Sequence, residues 1–162
     1  MLHSILDRLF PKSADNAFRG NRLALWLLGI LALMKAGIGA NSIFNGRVVA
    51  TSADGIPLDT FTPGGAQAVV SLFAIWGLSQ LVICVFCLLV LLRYRALVPL
   101  MLAMLLLEHL FKKMILQFLP IAKVGAPPGH AVNLVLLALI VGGLVLSVWN
   151  RREPKVRDRS PA

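Results

Sequence analysis

Charged side chains are scarce in this chain. Asp, Glu, Lys and Arg make up 14% of its 162 residues, whereas hydrophobic residues make up 58%. An ordinary soluble domain is about 25% charged and about 45–50% apolar. The composition therefore argues against a soluble globular domain and predicts an integral membrane protein. The length allows one domain with a few spanning helices.

Cysteine is almost missing as well. Cys84 and Cys87 lie in one apolar run with the C-x-x-C spacing of redox pairs and half zinc sites. No second cysteine pair and no nearby histidine completes a tetrahedral site, so we interpret both as small apolar residues and predict no metal site. Phosphate-binding, dinucleotide-binding, serine-hydrolase and zinc-protease motifs are absent too, which favours a protein that is not an enzyme.

The few charges that are present are mostly basic. Sixteen Lys and Arg residues against seven Asp and Glu give a formal net charge of +9. This excess does not predict nucleic-acid binding, because no basic stripe interleaved with aromatic residues occurs. The basic residues flank apolar runs instead, where they orient spans and attract anionic lipid headgroups.

Four apolar runs predict an all-α bundle of four transmembrane helices. The runs cover about residues 23–44, 66–92, 97–119 and 131–149, so that residues 23–149 form one transmembrane domain. Residues 1–22 form a basic segment with a candidate short amphipathic helix before Pro11. Residues 150–162 form a basic tail. In the first long loop, Asp54 and Asp59 flank Gly-Ile-Pro, a spacing that favours turn chemistry over a calcium site.

The basic residues outside the runs are distributed unevenly. Eleven precede the first run, fill the RYRA connection before the third, or follow the fourth, whereas the other two loops hold only Arg47 and Lys123. By the positive-inside rule, the N and C termini and the RYRA connection are cytoplasmic. This pattern predicts a multi-pass protein of a bacterial inner membrane.

The third run contains an unusual group of ionisable residues in the stretch LLLEHLFKKMILQ, residues 105–117. Lys112 and Lys113 are close enough to the outer boundary for their ammonium groups to reach the headgroups. Glu108 and His109 lie deeper, at about 12 Å inside that boundary. A carboxylate at this depth is protonated, paired, or faces water.

Lys35 is the expected partner of Glu108. Lys35 is the thirteenth residue of the first run and Glu108 the twelfth of the third, and both runs enter from the same side. Lys112, one turn from Glu108, is the alternative partner. Trp76 and Gln80 lie on the face of the second run that also carries both cysteines. The predicted polar cluster is Lys35, Trp76, Gln80, Glu108, His109 and Lys112.

Three functions are compatible with such a cluster in a lipid bilayer. The favoured one is a non-catalytic accessory or structural subunit, in a larger membrane complex or a homodimer, whose Lys–Glu pair orders the bundle. The second is a binder of a lipid-like or quinone-like molecule at an outward-opening pocket. The third is a small transporter or proton conductor, because Glu108 and His109 side by side are able to relay protons.

The layout resembles small bacterial four-helix membrane proteins of the DoxX-like kind. The resemblance rests on LLGILALMKAGIGA (27–40), on the glycine of AIWGLSQ (74–80) and on the RYRA turn, and it covers residues 23–119. Some DoxX-like proteins accompany respiratory or sulfur-oxidising quinone enzymes. The resemblance therefore implies an accessory or small-molecule-binding membrane subunit, and it implies no catalytic residue.

Overall fold

The computed structural model of this protein describes residue 9 and residues 15–18, 20–125 and 127–149. Its regular secondary structure in these ranges is helical, with no strand in them. The all-α prediction is confirmed. Each of the four long helices lies on one of the predicted apolar runs. They are α1 (Leu23–Phe44), α2 (Pro63–Arg93), α3 (Val98–Phe118) and α4 (Gly129–Val148).

Three of these helices, α1, α2 and α4, are long and apolar enough to cross a membrane. α3 is long enough but too polar to meet the same condition, because any 18-residue stretch of it contains Glu108, Lys112 and Lys113. Composition therefore supports three membrane spans where four were predicted. The predictions for residues 150–162, and most of those for residues 1–22, concern residues outside the described ranges.

The start of α2 shows how local sequence sets a helix boundary. The Thr62 hydroxyl accepts a hydrogen bond from the Gly65 backbone N–H at 3.2 Å, and Pro63 occupies the first turn, where a missing N–H has no consequence. The helix then continues for 31 residues. At 1.5 Å per residue this is about 46 Å, longer than a hydrocarbon core of about 30 Å.

The helices form a bundle in which α1 packs against α2 and α4, and α3 packs mainly against α4. α3 touches α1 and α2 at only a few positions. The apolar core lies where all four helices meet, near the end that carries the connection at residues 94–97. Its fully buried side chains include Leu28, Leu31, Leu102, Leu105 and Ile140. We call the opposite end, with residues 45–62 and 119–128, the long-loop end.

α1 and α2 approach each other most closely at a pair of glycines. A Cβ atom on Gly39 would lie 2.8 Å from the Gly77 carbonyl oxygen, and one on Gly77 would lie 2.5 Å from the Gly39 oxygen. Neither position has room for a side chain. The close contact fixes the relative position of the two helices that carry Lys35 and Gln80.

The loop between α1 and α2 is more ordered than the sequence predicts. Residues 46–53 continue as helical turns, Gly46–Val48 and Val49–Ala53, and a 3-10 turn follows at Leu58–Thr60. Ala50, Ile56 and Leu58 are buried against the first turns of α2. These apolar side chains, scattered among turn residues, hold the segment on the bundle.

The two loops at the long-loop end also contact each other. The Val124 N–H donates to the Gly55 carbonyl at 2.8 Å, and Gly55 has a φ of +71°, a conformation that glycine adopts without strain. Gly129, the first residue of α4, faces Ala53 so closely that a Cβ atom there would lie 2.6 Å from the Ala53 oxygen. The first loop is thereby held against the start of α4.

Candidate functional site

The predicted pair of Lys35 and Glu108 is present in the structure. Lys35 Nζ donates to Glu108 Oε2 at 2.9 Å, and the two side chains are 11% and 30% exposed. α1 brings the lysine and α3 the glutamate, and the pair joins two helices that touch at few other points. The alternative, an ion pair of Glu108 with Lys112, does not form.

Gln80 donates the second hydrogen bond to the Glu108 carboxylate. Its Nε2 donates to Glu108 Oε1 at 2.9 Å, and the residue is only 3% exposed. Both oxygens of Glu108 thus accept a hydrogen bond, one from a charged donor on α1 and one from an amide on α2. Three helices therefore meet at this carboxylate.

Lys112 has a different partner from the one considered in the sequence. Its Nζ lies 4.6 Å from the centroid of the Trp76 ring, a cation–π contact between α3 and α2. Phe73 packs edge-on against the same tryptophan, with ring centroids 6.4 Å apart and planes at 73°. Lys113, the next residue, is exposed. Only one of the two lysines therefore turns toward the other helices.

These side chains surround a cavity of about 170 Å³ between the helices at the long-loop end. All six residues of the predicted cluster line it. Among the described residues, Lys35 and Gln80 both hydrogen-bond to Glu108, whereas no hydrogen bond is seen for Trp76, His109 or Lys112. The apolar part of the wall comes from α1 and α4, through Ile38, Val132 and Leu136. The cavity thus has a charged region and an apolar region.

Sequence reasoning missed the contribution of the loops to this cavity. Val49, Ala53 and Asp54 line it from the first loop and Pro128 from the second, together with Gly129 and Asn133 on α4. Asp54 was interpreted only as a turn residue. The signal that points to it is the set of apolar residues around it, which predicts that the loop folds back onto the bundle.

The two cysteines lie apart from the cavity lining and are both free and buried. Cys84 Sγ points to the Ala32 carbonyl oxygen at 3.2 Å, and Cys87 packs in the apolar core. These contacts are those of small side chains that fill the space between α1 and α2, as the sequence indicates.

The arrangement is suited to binding. The ion pair places a balanced charge next to an apolar wall, and the described residues around the cavity include no cysteine or serine nucleophile. Comparisons with family models, with curated proteins and with solved structures gave no match to this chain. The site itself therefore carries the functional argument.

Proposed function

We propose that this chain is a four-helix integral membrane protein that binds a small amphiphilic molecule in the cavity at its long-loop end. The observation that carries the proposal is the cavity of about 170 Å³, into which a charged network and an apolar wall face together. Ligand sites in proteins combine these two features, a mostly apolar lining and a few placed polar groups.

The proposal includes α3 as the fourth span. Its 21 residues reach about 32 Å, enough for a hydrocarbon core of about 30 Å. Its one carboxylate is paired with Lys35, which removes much of the cost of placing it in the membrane. By the positive-inside rule, the distribution of basic residues supports an arrangement with both termini and residues 94–97 in the cytoplasm of a bacterium and the long-loop end outside.

Cysteine labelling tests this topology. In a background with Cys84→Ala and Cys87→Ala, single cysteines at Lys123 and at Arg95 lie on opposite ends of α3. A membrane-impermeant maleimide is expected to label Lys123→Cys in intact cells and Arg95→Cys only after lysis. Labelling of both in intact cells, or of neither, would overturn the four-span arrangement.

Native mass spectrometry in lipid nanodiscs tests the binding. The wild-type protein is expected to retain one amphiphilic molecule per chain, whose mass identifies its chemistry. Asn133→Trp places a large side chain at the cavity wall and should abolish retention. Leu134→Trp is the matched control, because Leu134 is exposed and does not line the cavity. Equal retention by both variants would place the molecule elsewhere.

A structural accessory role is the second candidate, and it has its own supporting observation. Glu108 alone joins α1, α2 and α3 through two hydrogen bonds at 2.9 Å. A protein that uses the pair only to order its helices would be free of small molecules in the same experiment. It would instead carry another polypeptide or a second copy, as the DoxX-like resemblance implies for an accessory subunit.

A further inference from the structure

Four charged residues line the cavity, and two of them are already satisfied. Lys35 and Glu108 pair at 2.9 Å, and Gln80 supplies the second hydrogen bond to the carboxylate. The other two are Lys112 and Asp54. Among the residues that the structure describes, neither of these two forms an ion pair. The cavity therefore presents a cation and an anion that attract each other across it without a direct ion pair between them.

The surroundings of each charge keep it available to a ligand. Lys112 Nζ lies over the Trp76 ring, 4.6 Å from its centroid. This contact is an electrostatic attraction between the ammonium and the ring, and it leaves the N–H donors of the ammonium free to hydrogen-bond to a ligand. Asp54 lies beside the N-terminus of α4, where a Cβ atom on Gly129 would be 3.0 Å from its Oδ1.

The size and walls of the cavity limit what enters. A volume of about 170 Å³ is below the roughly 300–1,000 Å³ of sites that enclose a whole drug-sized ligand. It suits a headgroup and the first part of a chain, in contact with Ile38 and Leu136. The rest of a chain would lie along the exposed apolar surface of α2 and α3, which touch each other at few points.

We propose that the ligand is a zwitterionic amphiphile of the ammonium–phosphate type, with its phosphate on Lys112 and its ammonium on Asp54. This inference rests on the proposed function and specifies its ligand. A headgroup with negative charge only would face the Asp54 carboxylate, and a neutral quinone would offer neither charge a direct ionic partner in a partly dehydrated site. A zwitterion satisfies both charges at once.

The test is a competition between two lipids. The full-length protein is reconstituted in nanodiscs that contain equal amounts of phosphatidylethanolamine and phosphatidylglycerol, and the lipid retained on the protein is identified by native mass spectrometry. Phosphatidylethanolamine is expected to be retained about tenfold over phosphatidylglycerol, the ratio that one additional charged hydrogen bond provides. This comparison needs no variant and so does not depend on the folding of one.

Variants assign the two charges. Asp54→Asn is expected to remove the preference between the two lipids, whereas Lys112→Gln should lower the retention of both by about tenfold. Asp59→Asn and Lys113→Gln are the matched controls, because both residues are exposed and neither lines the cavity. A preference unchanged by Asp54→Asn would overturn the proposal.

The outcomes distinguish a wrong ligand class from a wrong proposal of amphiphile binding. Retention of phosphatidylglycerol at least equal to that of phosphatidylethanolamine overturns the zwitterion and leaves amphiphile binding in place. Retention of neither lipid overturns the zwitterionic lipid as well, and the proposed function itself is overturned if the protein retains no amphiphilic molecule of any mass. A last arm adds soluble phosphoethanolamine. If phosphoethanolamine displaces the lipid from the wild-type protein but not from Asp54→Asn, the headgroup chemistry is supported and a free zwitterion is able to occupy the site. If it displaces no lipid, the site is assigned to the lipid.

Discussion

The contact between α1 and α2 and the space between α2 and α3 lie beside each other in the bundle, yet they are built in opposite ways. At the first, Gly39 and Gly77 let two backbones come together with no room for a Cβ atom. At the second, long polar side chains cross a gap, with Gln80 reaching Glu108 and Trp76 reaching Lys112. One helix, α2, takes part in both.

The difference shows how a small bundle is able to be rigid and open at once. Gly77 is three residues from Gln80, and Gly39 is four residues from Lys35, so each polar donor stands about one turn from the close contact. Backbone packing fixes where the donors stand. The gap on the other side leaves room for a ligand beside Lys112, while α1 and α2 remain in close contact.

The largest expected effect comes from removing the ionic partner of the buried Lys35 ammonium. Glu108→Gln removes the carboxylate from Lys35, whose side chain is only 11% exposed. An uncompensated charge of this kind costs about 3 kcal/mol in the free energy of unfolding. Equilibrium unfolding in mixed micelles measures it.

Its rescue makes the result specific. Adding Lys35→Met removes the stranded cation, and the double variant is expected to recover most of the lost stability because an apolar pair needs no ionic partner. Lys113→Met, on an exposed lysine of α3, the helix of Glu108, serves as the charge-loss control and should leave stability unchanged. A double variant no more stable than Glu108→Gln alone would show that the pair does not act as a unit.

A smaller effect is expected from the close contact. Gly77→Ala places a Cβ atom 2.5 Å from the Gly39 carbonyl oxygen, and the two backbones have to separate. Overpacking of this kind costs about 1–3 kcal/mol. The thermal midpoint of the purified protein is the measurement.

Gly142→Ala provides the matched comparison, because a Cβ atom there meets nothing within 4 Å. Alanine is a better helix former than glycine, so this variant is expected to be at least as stable as the wild type. Equal losses in the two variants would mean that glycine at position 77 serves the helix itself and not the contact with α1.

The sequence predicted the parts of this structure that follow from periodicity and depth. Helix positions follow from the apolar runs, and the pairing of Lys35 with Glu108 follows from equal rise along two helices that enter from the same side. The same arithmetic could not choose the partner of Lys112, because an i,i+4 pair and an interhelical contact are both within its reach.

Two features were beyond such reasoning for physical reasons. The cavity depends on how far α3 stands from α2, a distance set by packing against α4 and by no local pattern. Asp54 enters the site because Ala50, Ile56 and Leu58 bury themselves against α2 and carry the intervening turn with them. Composition could not decide whether α3 crosses the membrane, because a paired carboxylate and an unpaired one have the same hydropathy.

The smallest effect is expected from the cation–π contact between Trp76 and Lys112, which crosses the space between α2 and α3. A double-mutant cycle on Trp76→Leu and Lys112→Met, measured by unfolding in neutral mixed micelles, is expected to give a coupling of about 0.5–1 kcal/mol, the range of a partly exposed cation–π contact. Phe73→Leu with Lys112→Met is the control cycle, because Phe73 packs on Trp76 and forms no cation–π contact with Lys112. Coupling in the first cycle alone means that the contact holds α3 to α2. A coupling of zero in both would mean that the contact between Lys112 and Trp76 does not stabilise the fold, and that Gln80 alone of the two α2 side chains holds α3.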